Sequence, residues 1–74
     1  MAPRRRSRVQ NHVRALRERH EGMTQQHLAD ALGVSRQTVI AIEQGKFCPS
    51  LESALRIARL FEEPVEDVFE LEAD

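Results

Sequence analysis

The stretch Gln25–Gln44, QQHLADALGVSRQTVIAIEQ, decides how this chain folds. Leu28, Ala29 and Leu32 fall at i, i+1 and i+4, which is one face of a helix, and Thr24 stands before them as the N-cap. Ala29 is small where a second helix has to cross closely. Gly33 supplies the left-handed backbone that ends a helix without a Cβ penalty. Ser35 caps the next helix, with Val34 placed to staple onto Val39. Val39 and Ile42 turn back toward the first helix, which leaves Arg36, Gln37, Ile40, Ala41 and Gln44 pointing largely outward. The predicted unit is two short helices around a tight turn.

Upstream, Val9, Val13 and Leu16 recur at i, i+4 and i+7 and predict a first helix from about Arg8 to Arg19. Arg14, Arg17 and Arg19 make its second half basic, which suits the negative end of the helix dipole. Gly22 marks the break, and Met23 and Leu28 form a hydrophobic staple around Thr24. His27 takes the position where a capping box carries Glu or Gln, so that box is incomplete.

Downstream, Gly45 ends the second helix of the unit and Lys46-Phe47-Cys48-Pro49 forms a loop. Ser50 is the next N-cap, with Glu52 in the first turn where negative charge is favoured. Leu51, Ala54, Leu55, Ile57, Ala58, Leu60 and Phe61 make the fourth helix apolar over more than half its circumference, so it is expected to be the central core helix. Arg56 and Arg59 take what remains exposed. Pro64 interrupts the pattern, and Val65, Val68 and Phe69 suggest a short fifth helix.

A chain of 74 residues is one domain. At this size only about 60% of the unfolded surface is buried on folding, so dimerisation would add stability. Three Gly, three Pro, no Trp or Tyr, and few alternating β-branched runs point to an all-α fold. The expected layout is a basic arm over 1–7, a domain over 8–69 and an acidic tail over 70–74. The net charge of −1 hides an asymmetry: residues 1–50 balance to +5 and residues 51–74 to −6. One end is thus suited to a polyanion and the other to solvent or a basic partner, or both are merely solvated surfaces. Cys48, the single cysteine, has no internal disulfide partner and fits a reducing compartment. Its thiol is expected to be inert rather than a redox switch, since only Lys46 is a nearby base. No apolar run approaches the ~18 residues of a membrane span. The opening MAPRRRSR lacks an apolar core for export, so a cytoplasmic, nucleoid-associated location is expected.

A short helix that presents Arg and Gln at its exposed N-terminal end suits the DNA major groove. Arg bonds guanine O6 and N7 in a fork, and Gln does the same for adenine N6 and N7. The arm, with Arg4, Arg5 and Arg6, either tracks phosphates or enters a minor groove, or is a frayed terminus. Catalysis finds no support. His12, His20 and His27 are eight and seven residues apart, not the i, i+4 pair of a helical metal site. The carboxylates sit mainly in a solvated tail with no pocket to perturb them. No enzyme activity, metal, cofactor, small-molecule ligand or membrane partner is therefore expected.

TQQHLADALGVSRQTVIAIEQGKFCPSLESALRIARLF, from Thr24 to Phe61, resembles the lambda-repressor-like, or xenobiotic-response-element type, helix-turn-helix family almost without gaps. Gln25, Ala29, Gly33, Val39, Ile42, Glu43 and Gly45 stand at the family spacing, and the chain is similar to short stand-alone members. The resemblance implies a compact four- to five-helix DNA-binding domain. It implies base reading by Arg36, Gln37, Thr38 and Ala41, the last where many members carry a longer polar side chain. It also implies phosphate contacts by Gln25, Gln44 and Lys46, which set register without reading sequence. Glu43 matches a glutamate that pairs with an arginine of helix one: Arg17, or Arg14, because RHEGMTQ carries one extra residue relative to many members. Ile40, apolar where a polar residue is usual, meets thymine methyl groups or lies half-buried against the loop.

The function expected is a sequence-specific double-stranded DNA-binding regulator, a repressor in the first instance, on a palindromic operator. The alternative is an antitoxin-like or adaptor protein-interaction module on the same fold. Twofold symmetry doubles the few base pairs one short helix can read, so a homodimer is expected. Val65, Val68, Phe69 and Leu71 are the expected interface, or Val65 and Phe69 only cap helix four.

Overall fold

The computed structural model describes residues 9–72. Their order is β1 (Val9–Asn11), α1 (Val13–Arg19), α2 (Gln25–Leu32), α3 (Arg36–Glu43), α4 (Leu51–Phe61), α5 (Val65–Val68) and β2 (Phe69–Leu71). The 1–7 arm and the last two residues of the tail lie outside the described residues.

Local chemistry closes each end of the central unit. The Thr24 hydroxyl accepts the His27 N–H at 3.0 Å, and the Ser35 hydroxyl accepts that of Thr38 at 3.1 Å. Gly33 adopts φ 72°, and the following Val34 N–H reaches back to Ala29 O at 3.0 Å. A Cβ at Gly33 would meet nothing, so only the left-handed backbone calls for glycine there. Ser50 caps α4 through the Ser53 N–H at 3.1 Å.

The core is Val13 of α1, Leu28, Ala29 and Leu32 of α2, Val39 and Ile42 of α3, Ile57, Ala58 and Phe61 of α4, and Val68 of α5. Ala29 is fully buried, as a residue between two closely crossing helices must be. α4 does cross the core, but its apolar span is wider than the core uses. Ala54, Ile57, Ala58 and Phe61 are buried, whereas Leu51 and Leu55 face solvent.

The first helix is shorter than its stripe predicts, beginning at Val13 rather than near Arg8. Val9 lies instead in β1, which pairs antiparallel with β2 in the register Val9↔Leu71, Gln10↔Glu70, Asn11↔Phe69. Glu70 and Leu71, expected in the tail, are thus part of a ribbon that brings the two ends of the domain together. Its continuation is the His12 N–H bonded to Val68 O at 2.9 Å. Asn11 holds the junction: its Oδ1 accepts the Val13 N–H at 3.1 Å, and its Nδ2 donates to Ile42 O near the end of α3 at 2.8 Å. His12 Nε2 stands 2.6 Å from Glu70 Oε1. Three-residue strands are below the length at which periodicity is visible, and their partners lie at the far end of the chain. The ribbon is an addition to a helical fold.

Candidate nucleic-acid interface

α3 carries the candidate reading surface. Arg36 and Gln37, the two residues after the Ser35 cap, are both exposed. Arg36, Ile40 and Gln44 follow at intervals of four along one side of α3, with Gln37 and Ala41 beside them. Thr38 is half-buried, and its hydroxyl lies 3.0 Å from that of Ser35, so it takes part in the cap. Ile40 and Ala41 are half-buried. The Ala41 carbonyl accepts the N–H groups of Lys46 (2.9 Å) and Phe47 (3.3 Å), which folds the loop back over the end of α3. Gln44 and Lys46 remain exposed beyond it.

A buried polar knot fixes how α3 sits. Arg17 Nε donates to Glu43 Oε2 at 2.7 Å and Nη2 to Oε1 at 3.3 Å. Arg17 Nη1 also donates to Met23 O in the turn before α2, at 2.8 Å. Gln25 Nε2 completes the set on Glu43 Oε1 at 3.1 Å. The side chains of Arg17 and Glu43 are 10% and 4% exposed. Among the described residues no buried side-chain nitrogen or oxygen lacks a partner. Four segments (α1, the turn after it, α2 and α3) thus meet on one satisfied ion pair. Arg17 and not Arg14 faces Glu43, because Arg14 lies one turn earlier and bonds Glu18 at 3.3 Å.

The extra bond of Gln25 to Glu43 was not foreseen, and neither was the position of Arg14. Arg14, Thr24, Gln25, Gln26 and Arg36 line a hollow of about 500 Å³ at the start of α2. It joins the free N–H end of α2 to the first residue of α3 and carries two exposed arginines, features that favour a phosphate. The three-residue step from Arg14 to Arg17, which puts both on one side of α1, is the sequence signal that points to it. A second hollow, of about 690 Å³, is lined by His12, Glu18, Arg19, Glu63, Glu66, Asp67 and Glu70 and shares no residue with the first. Five carboxylates line this second hollow, and the two hollows adjoin where Arg14 bonds Glu18.

The four residues expected at a dimer interface are placed unequally. Val68 is fully buried in the core, and Val65 and Phe69 are half-buried against it; Leu71 alone is exposed, at 79%. The apolar spacing of Val65, Val68 and Phe69 reflects packing onto α4, with which α5 makes its main contact. Cys48 is a free, exposed thiol. Among the described residues no group of three or more His, Cys, Asp or Glu is placed to hold a metal ion, and no helix is long and apolar enough to cross a membrane.

The helix-turn-helix family model matches residues 13–68, and the chain belongs to that family in its lambda-repressor-like form. It is 48% identical over 66 residues to an uncharacterised HTH-type transcriptional regulator of Methanocaldococcus jannaschii, covering 89% of this chain and 98% of the relative. With YgzD of Bacillus subtilis, another uncharacterised HTH-type transcriptional regulator, it shares 47% identity over 66 residues, at the same two coverages. A third relative, from Methanothermobacter thermautotrophicus, is 54% identical over 54 residues, 72% of this chain and 78% of the relative.

Proposed function

We propose that this member of the helix-turn-helix family is a sequence-specific double-stranded DNA-binding transcriptional regulator that lays α3 in the major groove as a homodimer. The observation that carries the reading is the exposed Arg36–Gln37 pair on a helix whose orientation is held by the buried Arg17–Glu43–Gln25 knot. A reader must be rigid to discriminate, because each bidentate base contact is worth only ~1–3 kcal/mol and depends on geometry. Arg36 and Gln37 are the principal base readers. Thr38 contributes through its methyl group, since its hydroxyl serves the cap, and Ala41 through contact with a thymine methyl.

Phosphates on either side set the register. Gln25 has a second amide N–H beyond the one on Glu43, and the residue lines the hollow with Arg14 and Arg36. Gln44 and Lys46 take a phosphate beyond the other end of α3. Repression follows from occupancy of a palindromic operator and requires no further chemistry. Three of the four large exposed apolar side chains among the described residues, Phe47, Leu51 and Leu55, favour a second reading, a protein-interaction module on the same fold.

Selection of bound duplexes from a random library, followed by fluorescence anisotropy against salt, tests the proposal. An enriched palindrome whose affinity falls steeply with salt is expected. Gln37→Ala should relax preference at one base position, whereas Lys46→Ala should weaken all sequences alike and flatten the salt slope by about one unit. Affinity indifferent to salt, with no enriched sequence, would leave the protein-interaction module.

A further inference from the structure

Three large apolar side chains face solvent close together in the chain: Phe47, Leu51 and Leu55, at 51%, 74% and 50% exposure. Phe47 lies in the loop after α3, and Leu51 and Leu55 are one turn apart on α4. Ala54, Ile57, Ala58 and Phe61 take the core side of α4, and the two leucines lie on the flank beside it. Glu52, Arg56 and Arg59 run alongside them, exposed, with Arg56 Nη2 donating to Glu52 Oε2 at 2.7 Å. α5 and β2 offer less, because Leu71 is their only large exposed apolar side chain.

We propose that Phe47, Leu51 and Leu55 form a docking surface for a second copy of this chain, with the two α4 helices crossing antiparallel midway between Leu51 and Leu55. The proposal takes from the DNA-binding reading only the need for a twofold pair. A twofold contact requires a self-complementary patch, and this flank is one. An antiparallel crossing lays Leu51 of one copy against Leu55 of the other, and the same crossing sets Glu52 against the other copy's Arg56. A parallel crossing would place the two copies' Glu52 and Arg56 on opposite flanks of the seam, without this pairing. Charges of both signs beside the leucines give no preference for a strongly acidic or strongly basic partner.

Three side chains with a polar rim bury less than the ~800 Å² per partner of a standard-size interface, so the free dimer is weak. Two copies on adjacent half-sites gain from a high effective concentration, and the pair then assembles on its operator. Because Phe47 follows the end of α3 closely, this contact also sets the spacing between the two reading helices.

Sedimentation velocity of the full chain tests the surface. The wild type is expected to dimerise at high micromolar concentration. Leu51→Glu should weaken the dimer about tenfold or more with an unchanged melting curve at dilutions where both chains are monomeric, because position 51 is exposed and the first turn of α4 favours negative charge. Glu52→Arg and Arg56→Glu should each weaken it, and the double exchange should restore it. A wild type that stays monomeric there, or Leu51→Glu and Leu55→Arg variants that dimerise as the wild type does, overturns the surface. A double exchange no better than the singles overturns the antiparallel crossing. Anisotropy on a half-site duplex separates the two readings, since Leu51→Glu should bind it as the wild type does. A wild type that dimerises through these residues yet ignores DNA upholds the surface and removes the DNA-binding reading.

Discussion

Two ion pairs in this domain have the same shortest distance, 2.7 Å, and different consequences. Arg17–Glu43 is nearly closed to solvent, at 10% and 4% side-chain exposure, and joins α1 to α3. Glu52–Arg56 spans one turn of α4 at 75% and 58% exposure. Distance alone does not rank them, because the medium sets the energy. Charges in the interior have lost their water and depend on each other, whereas exposed charges trade one solvated state for another. The buried pair is also saturated with further bonds from Met23 and Gln25, so it fixes an angle between helices. The exposed pair fixes nothing within the monomer, which leaves its charges available to a partner.

Substitutions can break or sharpen this contrast. The largest effect is expected at the buried pair. Glu43→Ala should cost ~3–5 kcal/mol in urea unfolding, because it strands the Arg17 guanidinium; a loss under about 1 kcal/mol would erase the distinction between the two pairs. An intermediate loss is expected at Asn11, which bridges the N–H of Val13 and the carbonyl of Ile42. Asn11→Ala should cost ~1–3 kcal/mol by the same measurement, because the Val13 N–H loses its partner, while the Ile42 carbonyl keeps the Gly45 N–H. It should also speed amide exchange in β1 and β2. If the ribbon exchanges as in the wild type, its closure does not depend on Asn11. The smallest effect belongs to the exposed pair: Arg56→Ala should shift stability by ~0.5 kcal/mol or less. A larger shift would mean that this pair supports the monomer fold.

Much of the fold was legible because its signals are local. Thr24, Ser35 and Ser50 cap helices three residues ahead of the N–H groups they bind, and Gly33 turns the chain by its own backbone freedom. α3 was legible for the same reason, since the exposure of Arg36 and Gln37 follows from the buried phase of Val39 and Ile42. The β ribbon was not legible, because Val9 fits a helical stripe until a strand from the far end of the chain is there to pair with it. Apolar spacing likewise could not separate core from surface. Val68 and Leu55 are both apolar helix residues, yet the first is fully buried and the second half-exposed, according to which side has a neighbour.

The sequence by itself determined the helix boundaries around the central turn, the phase of α2 and α3, and the outward course of Arg36 and Gln37. Caps, glycine and helical periodicity act within a few residues of where they are written. Only the tertiary structure decided that Gln25 joins Arg17 and Glu43, that Arg14 and Arg36 share one hollow, and that Leu51 and Leu55 are left uncovered. Each of these depends on which surfaces of α1, α2 and α4 meet, and burial is a property of the assembled helices rather than of any one of them.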